Sequence, residues 1–275
     1  MTLQALRCSS CGGAIAFPEG KSNPHCLFCG STAQVQITIS NTIPTPKQIF
    51  GFAISKEDAD QEFRKFTTTS FWYPKDIRQA KLELRQVLLP AWVFQGEIES
   101  HYAGLVHASS PSKKRPVSGR DRTFLDHVLV PSSKAISITE INTIAPFDTE
   151  QATPFDEASL LYPYELGELT ARMAHIECKK VMQLVHKNRI SQTHSFSSVQ
   201  LSSVCYDVQG EPALLPIFIG VYRRSETDTK FYRIVINGIN GKLIGEAPFD
   251  WVKLISIIAV VSLVIVLILV LQNAS

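Results

Sequence analysis

Residues 254–271 read LISIIAVVSLVIVLILVL, eighteen positions with no charge and with only Ser256 and Ser262 polar. An uninterrupted apolar run of this length needs either the centre of a large core or a bilayer, and it constrains the chain more than any other segment. Its Ile and Val content would suit buried strands, but strands run about 5–6 residues and no turn residue breaks the run. As a helix it extends roughly 27 Å, which the flanks bring near the ~30 Å hydrocarbon core. Trp251 and Lys253 stand at its front edge, where an indole and a snorkelling ammonium favour the interface. A single transmembrane helix over residues 251–272, a tail anchor, is expected. Arg223, Arg224, Arg233, Lys242 and Lys253 all precede the span and residues 272–275 are uncharged, which places the body in the cytosol. The start, MTLQALRCSS, has no apolar signal region, in keeping with that orientation.

At the other end stand Cys8-Ser-Ser-Cys11-Gly12 and Cys26-Leu-Phe-Cys29-Gly30. Each C-x-x-C turn offers two thiolates, and a hairpin that joins the turns completes a tetrahedron, so one structural Zn²⁺ on Cys8, Cys11, Cys26 and Cys29 is expected. Gly12 and Gly30 suit the tight backbone of such knuckles, where φ turns positive. The same sulfurs could hold iron in a rubredoxin-like site or act as a redox dithiol, although two matched pairs favour a metal. His25 could substitute as a ligand; as a lone His beside Cys26 it reads first as a turn residue. AIAF and AQVQITI supply short strands, making residues 1–39 a zinc ribbon.

The prolines of SNTIPTPKQIF mark a linker over residues 40–48, ahead of a mixed domain over 49–250. Ser55, with Asp58 three positions on, caps a helix KEDADQEFRKF that presents Phe63 and Phe66. A second helix is expected after Pro74, over DIRQAKLELRQVL. Two segments then echo each other, Leu88-Leu89-Pro90 leading into AWVF and Leu214-Leu215-Pro216 leading into IFI. Each begins an aromatic and β-branched strand that turns back, so one antiparallel sheet from two related hairpin halves is expected. Asn237-Gly238 and Asn240-Gly241 signal a tight hairpin. DHVLVPSSKAISI reads as a strand, FDTEQATPFDEASLLYPY as loop, and residues 166–187 as a helix with Leu166, Leu169, Met173, Ile176 and Leu184 as its apolar stripe. The fold class is α+β: a ribbon, a mixed domain of β-hairpin repeats with a few helices, and one terminal transmembrane helix.

The charges, 27 basic against 25 acidic, leave a net +2 spread along the chain. Within residues 1–40 only Arg7 and Lys21 oppose Glu19, so the cluster that tracks phosphates is missing and nucleic acid is not an expected partner. The loop SSPSKKRPVSGRDR, with Lys113, Lys114, Arg115, Arg120 and Arg122, is the best candidate for an anionic surface, but reads first as a solvated tip. His175, Glu177, Cys178 and His186 could be imagined as a metal or acid–base group, but no H-E-x-x-H motif accompanies them. Neither Cys178 nor Cys205 has a matched base in sequence, no phosphate loop occurs, and no small-molecule substrate is evident, so no enzymatic activity is expected.

Together the two C-x-x-C-G knuckles, LLPAWVF, the PVSG of residues 116–119, DHVLVPSS, the APFD of residues 145–148 and LLPIFIGVYRR…YRIVINGINGKLIGEAP carry a resemblance over nearly the whole chain. The chain resembles a family of bacterial membrane proteins with an N-terminal zinc ribbon, whose members are often named after the primosomal helicase. The resemblance implies the inner (cytoplasmic) membrane and no motor activity. Some relatives look like membrane partners of phage-shock-A-like and flotillin-like proteins in envelope stress, which implies a role in recruiting proteins to the lipid bilayer. The expected function is thus an anchored adaptor or scaffold, with a membrane-tethered nucleic-acid-binding protein as the alternative.

Overall fold

The computed structural model describes residues 4–17, 25–38, 44–107, 114–147, 152–157, 160–225, 227–228 and 230–273. Two very long strands run through it, β5 (Leu82–His107) and β9 (Phe196–Tyr222), paired antiparallel from Leu82↔Tyr222 to Val106↔Phe196. The two LLP segments meet in this pair: Leu88 lies opposite Pro216, Leu89 opposite Leu215 and Pro90 opposite Leu214. Outside it, β6 (Lys114–Pro131) returns along β5 and β10 (Tyr232–Asn237) along β9, so the local order β6-β5-β9-β10 realises the two related halves.

A proline inside a paired strand removes a ladder donor. Here the carbonyls of Pro90 and Pro216 point outward, accepting from the N–H of Ser132 and of Gly238. The missing N–H of each proline therefore also lies on the outer edge, because both groups of one residue point the same way. It is there that each long strand changes neighbour. β5 leaves β8 (Tyr164–Glu165) after Leu88 and takes up β6 from Ala91. β9 leaves β10 at Ile217 and takes up β4 (Gln48–Phe50) at Leu214, whose far side carries β7 (Ala152–Pro154).

Around these prolines both faces of the sheet are covered. Val87, Leu89 and Ala91 with Leu215, Ile217 and Ile219 face α2 (Ile138–Ile144) and the N-terminal lobe. Leu84, Phe218 and Tyr222 face α1 (Lys56–Phe66), where Phe63 is fully buried. Burial on both faces explains the continuous apolar run of β9, ALLPIFIGVY, in which every residue is buried. The Ser55 capping box starts α1 as expected.

Beyond Phe94 the sheet narrows to the three strands β6, β5 and β9, an arm with a helix on one face. Its root is irregular on both sides of β5, where register shifts flank Gln95 and Gly96 and the outer strands carry His127 and Asp207 at positive φ. Gly96 is required there, since a Cβ would stand 3.0 Å from the Val208 Cα. The helix is α3 (Ala171–His194), capped by Thr170 and closed by Ser195 in the left-handed region.

Several expectations need correction. The helix expected over residues 76–88 is a short 3₁₀ helix, Lys75–Gln79, followed by β5, because pairing with β9 overrides the helical preference of LELRQVL. In α3 the expected stripe is reversed: Met173, Ile176 and Leu184 are exposed, whereas Ala174, Cys178, Met182, His186 and Ile190 are buried. Lys114, Arg115, Arg120 and Arg122 belong to β6 rather than a loop, while Lys113 lies outside the described residues. Asn237 and Asn240 do not form a two-residue turn. Their side chains instead accept from the N–H of Ile239 and Lys242 in a longer connection to β11 (Leu243–Gly245).

The chain ends in α4 (Trp251–Asn273), long and apolar enough to cross a membrane, with none of its apolar window buried against the body. The Lys253 ammonium does not reach away from the body. It donates to the carbonyls of Phe71 (3.0 Å) and Tyr73 (2.7 Å).

One buried acid ties the layers together. Glu165 in β8 accepts from Ser133 Oγ at 2.5 Å and from the N–H of Lys134 and Ala135 at 2.9 and 3.0 Å. Burial pushes its carboxyl up to about 7 from 4.5, against those hydrogen bonds. The folded state then binds the proton more tightly than the unfolded chain, so stability falls as pH rises from about 4.5 through about 7. Glu165→Gln keeps an acceptor and removes the charge. Its stability relative to the native chain should rise by roughly 2–3 kcal/mol between about pH 5 and about pH 8, read as a melting-temperature difference.

Candidate metal centre

The two C-x-x-C segments fold into matching knuckles. In the first, Cys8 N–H donates to Gly13 O and Gly12 N–H to Cys8 O, both at 2.9 Å. In the second, Cys26 N–H donates to Ser31 O at 2.7 Å and Gly30 N–H to Cys26 O at 2.9 Å. Gly12 and Gly30 occupy equivalent positions with φ of +80° and +75°, as the glycine spacing led one to expect. β1 (Gln4–Cys8), paired with β2 (Ala14–Phe17) and β3 (Gln34–Ile37), brings the knuckles face to face.

All four cysteine sulfurs lie within 4.8 Å of one another. Cys8 Sγ is 3.6 Å from Cys29 Sγ, and Cys11 Sγ is 3.7 Å from Cys26 Sγ. A disulfide would need about 2.05 Å. A tetrahedron of about 2.3 Å metal–sulfur bonds has edges of about 3.8 Å, so the spacing fits a single tetrahedral ion. His25 is exposed, and the ligand atoms that come together are all sulfur.

The protonation pattern suits displacement by a cation. The Cys26 thiol is held down to about 5, chiefly by its hydrogen bond with Cys11 and then, against burial, by the N–H groups of Cys29 and Phe28. Cys11, on the other end of that bond, is pushed up, and burial takes Cys29 up to about 11. A metal that takes these sulfurs as thiolates must release protons, so its affinity falls in acid.

The lobe is built into the body. β2 pairs with β8, which pairs with β5, and Cys26, Leu27 and Phe28 share one core with Val87, Leu89 and Ile217. Arg7, the basic residue of the lobe among the described residues, and Lys134 beside it both pair with Glu168, at 3.5 and 3.4 Å. Between the second knuckle and the end of the β5–β9 pair lies a cleft of about 700 Å³. Three of its cations are committed, Arg224 to Asp76, Arg85 to Glu83, and Arg223 over the Phe231 ring, while Lys81 on the same lining is exposed.

The residues of α3 separate. Cys178 packs on the arm, where burial pushes its thiol up to about 12, away from a reactive thiolate. His175 stands edge-on to Phe94, and Glu177 pairs with Lys180. His186 acquires partners the sequence did not suggest: Nδ1 meets Ser100 Oγ at 2.8 Å and Nε2 meets Asp121 Oδ2 at 2.6 Å. Ser100 also bonds to Ser203 Oγ at 2.7 Å. Ser–His–Asp contacts of this kind invite comparison with a nucleophilic relay. With Ser100 and His186 both 0% exposed, no substrate reaches the hydroxyl, and the network docks α3 onto the arm. On the open face of the arm, Arg120 pairs with Glu99 at 2.5 Å and Arg122 with Glu97, which neutralises half of the described basic residues of the KKRPVSGRDR segment.

Compared with known proteins, the chain matches no family model, no curated protein and no solved structure. The centre is therefore judged on its own geometry, a four-cysteine group able to hold a metal ion.

Elemental analysis should find one tightly held ion per chain. Cys26→Ser should abolish it and lower the melting temperature of the whole body by about 10 °C or more, as expected for a loss of several kcal/mol. His186→Ala should cost about 2–3 kcal/mol, because it leaves a cavity between α3 and the arm and removes the bonds to Ser100 and Asp121. That loss should appear as faster amide exchange in α3 with the ion content unchanged.

Proposed function

We infer that this protein is a membrane-anchored adaptor, a zinc-ribbon scaffold that recruits cytosolic proteins to a bilayer. One observation carries the reading: α4 leaves the body with its apolar window wholly unburied, so the helix needs a hydrocarbon environment that the rest of the described chain does not provide. The 23 residues of α4 extend roughly 34 Å, enough to span that environment. Zinc is the proposed ion because it accepts four thiolates in a tetrahedron without a geometric preference of its own. Four sulfurs leave no open coordination position, so its role is structural.

The proposed placement is single-pass in the inner membrane with the body cytosolic, supported by the basic residues that precede the span. The proposed partners are proteins of the phage-shock-A-like or flotillin-like kind, on the strength of the resemblance described above. The paired state of Arg7, Arg85, Arg120, Arg122 and Arg224 supports a protein partner over a phosphate backbone.

Affinity purification of the full chain from solubilised membranes tests the role of the metal lobe. Partner proteins should co-purify with the native chain and be lost with Cys8→Ser/Cys11→Ser, and an unchanged partner set would dispose of the lobe as a docking element. In the same preparation, duplex DNA binding at about 50 mM salt should stay flat, whereas salt-sensitive binding would favour a tethered nucleic-acid-binding protein.

A further inference from the structure

The base of α4 is fastened to a segment about 180 residues away in the chain. Asp250 N–H donates to Trp72 O at 2.9 Å, and Asp250 Oδ1 accepts from Lys253 N–H at 3.2 Å, capping the helix. The Lys253 ammonium pairs with Asp250 at 3.1 Å while donating to Phe71 O and Tyr73 O. These bonds hold residues 71–73 level with the first turn of α4.

Four aromatic rings gather at that level. Trp72 stacks on Phe249 with centroids 5.2 Å apart and planes inclined by 17°. Phe71 meets Trp72 edge-on at 5.3 Å, and Phe249 meets Trp251 at 5.0 Å. The group is far from buried: Phe71 is 66% exposed, Trp251 65% and Phe249 38%. In water this patch would leave large apolar rings solvated, continuous with the bare first turn of α4. At a membrane interface the same composition is favoured, since indoles sit at the headgroup level and phenyl rings bury at the headgroup–acyl boundary.

We propose that Phe71, Trp72, Phe249 and Trp251 form a collar that seats in the interface of a lipid bilayer, giving the body a second membrane contact besides the span. The collar rests on the reading that α4 crosses the bilayer. Its occupant is the bilayer because the patch continues the apolar surface of α4 without a break. The Lys253 and Asp250 bonds make the attachment stiff, so the body holds a fixed tilt on the membrane instead of swinging on a tether.

The chain has three tryptophans, of which Trp92 is buried in the core beneath α3, so fluorescence can read Trp72 and Trp251 separately. The full chain is reconstituted into phosphatidylcholine–phosphatidylglycerol vesicles with or without bromine at the shallow 6,7 positions of the acyl chains. Trp251→Phe reports Trp72, Trp72→Phe reports Trp251, and the double variant supplies the Trp92 background. One bound ion per chain confirms that each variant is folded. The expected result is that shallow bromines remove about half of the Trp72 signal, comparable to their effect on Trp251. Quenching of Trp251 with Trp72 unaffected would overturn the collar and leave the span standing. Absence of quenching at both would overturn the span and the collar with it.

Discussion

The register of β5 against β9, with Leu89 opposite Leu215 between two prolines, sets the position of everything else in the molecule. Each proline withholds a donor from the outer edge of its strand. One edge thereby becomes the place where β8, and through it the cysteine lobe, joins the sheet, and the other the place where β4 joins. A slip of one residue would turn Val87, Leu89 and Ala91 away from the lobe and expose a face that is now covered. The strand pair runs through both the thick base and the thin arm, so the two regions share one backbone frame.

Because the lobe joins that frame, the four-cysteine centre is a component of the core. Phe28 and Leu27, between the paired cysteines, pack with Leu89 and Ile217, so geometry at the sulfurs and packing in the sheet depend on each other. Glu165 acts at the same junction, holding the 133–135 segment against the strand that receives β2. Its raised pKa follows from burial there. At the opposite end, Lys253 gives its ammonium to two carbonyls of the 71–73 segment, which makes the root of α4 a part of the body as well.

The parts legible in sequence were those whose signal is local. The two knuckles needed only their cysteines and following glycines, because the bonds that shape them span four or five residues. The first helix is written in Ser55 and Asp58, and α2 carries the same kind of signal in Ser137 and Glu140, at the end of a segment whose composition reads as a strand. The LLP echo pointed to two related halves, and the halves do pair. What misled was composition without context. LELRQVL favours a helix in isolation, and Met173, Ile176 and Leu184 look like a buried stripe, yet a small residue, a thiol and a histidine face the arm instead. That face closes through Ser100, Asp121 and Ser203, contributed by three different strands, and no spacing within α3 could reveal it.

By itself the sequence determined the four-cysteine group and an apolar terminal helix of bilayer length, because each is specified by a few neighbouring residues and a covalent length. Only the tertiary structure decided that the lobe is fused to the sheet and that the arm holds α3 by a buried histidine. It also decided that the root of α4 is clamped to residues 71–73. Those features rest on contacts between residues tens to hundreds of positions apart, and such contacts exist only once the register of β5 and β9 has brought their elements together.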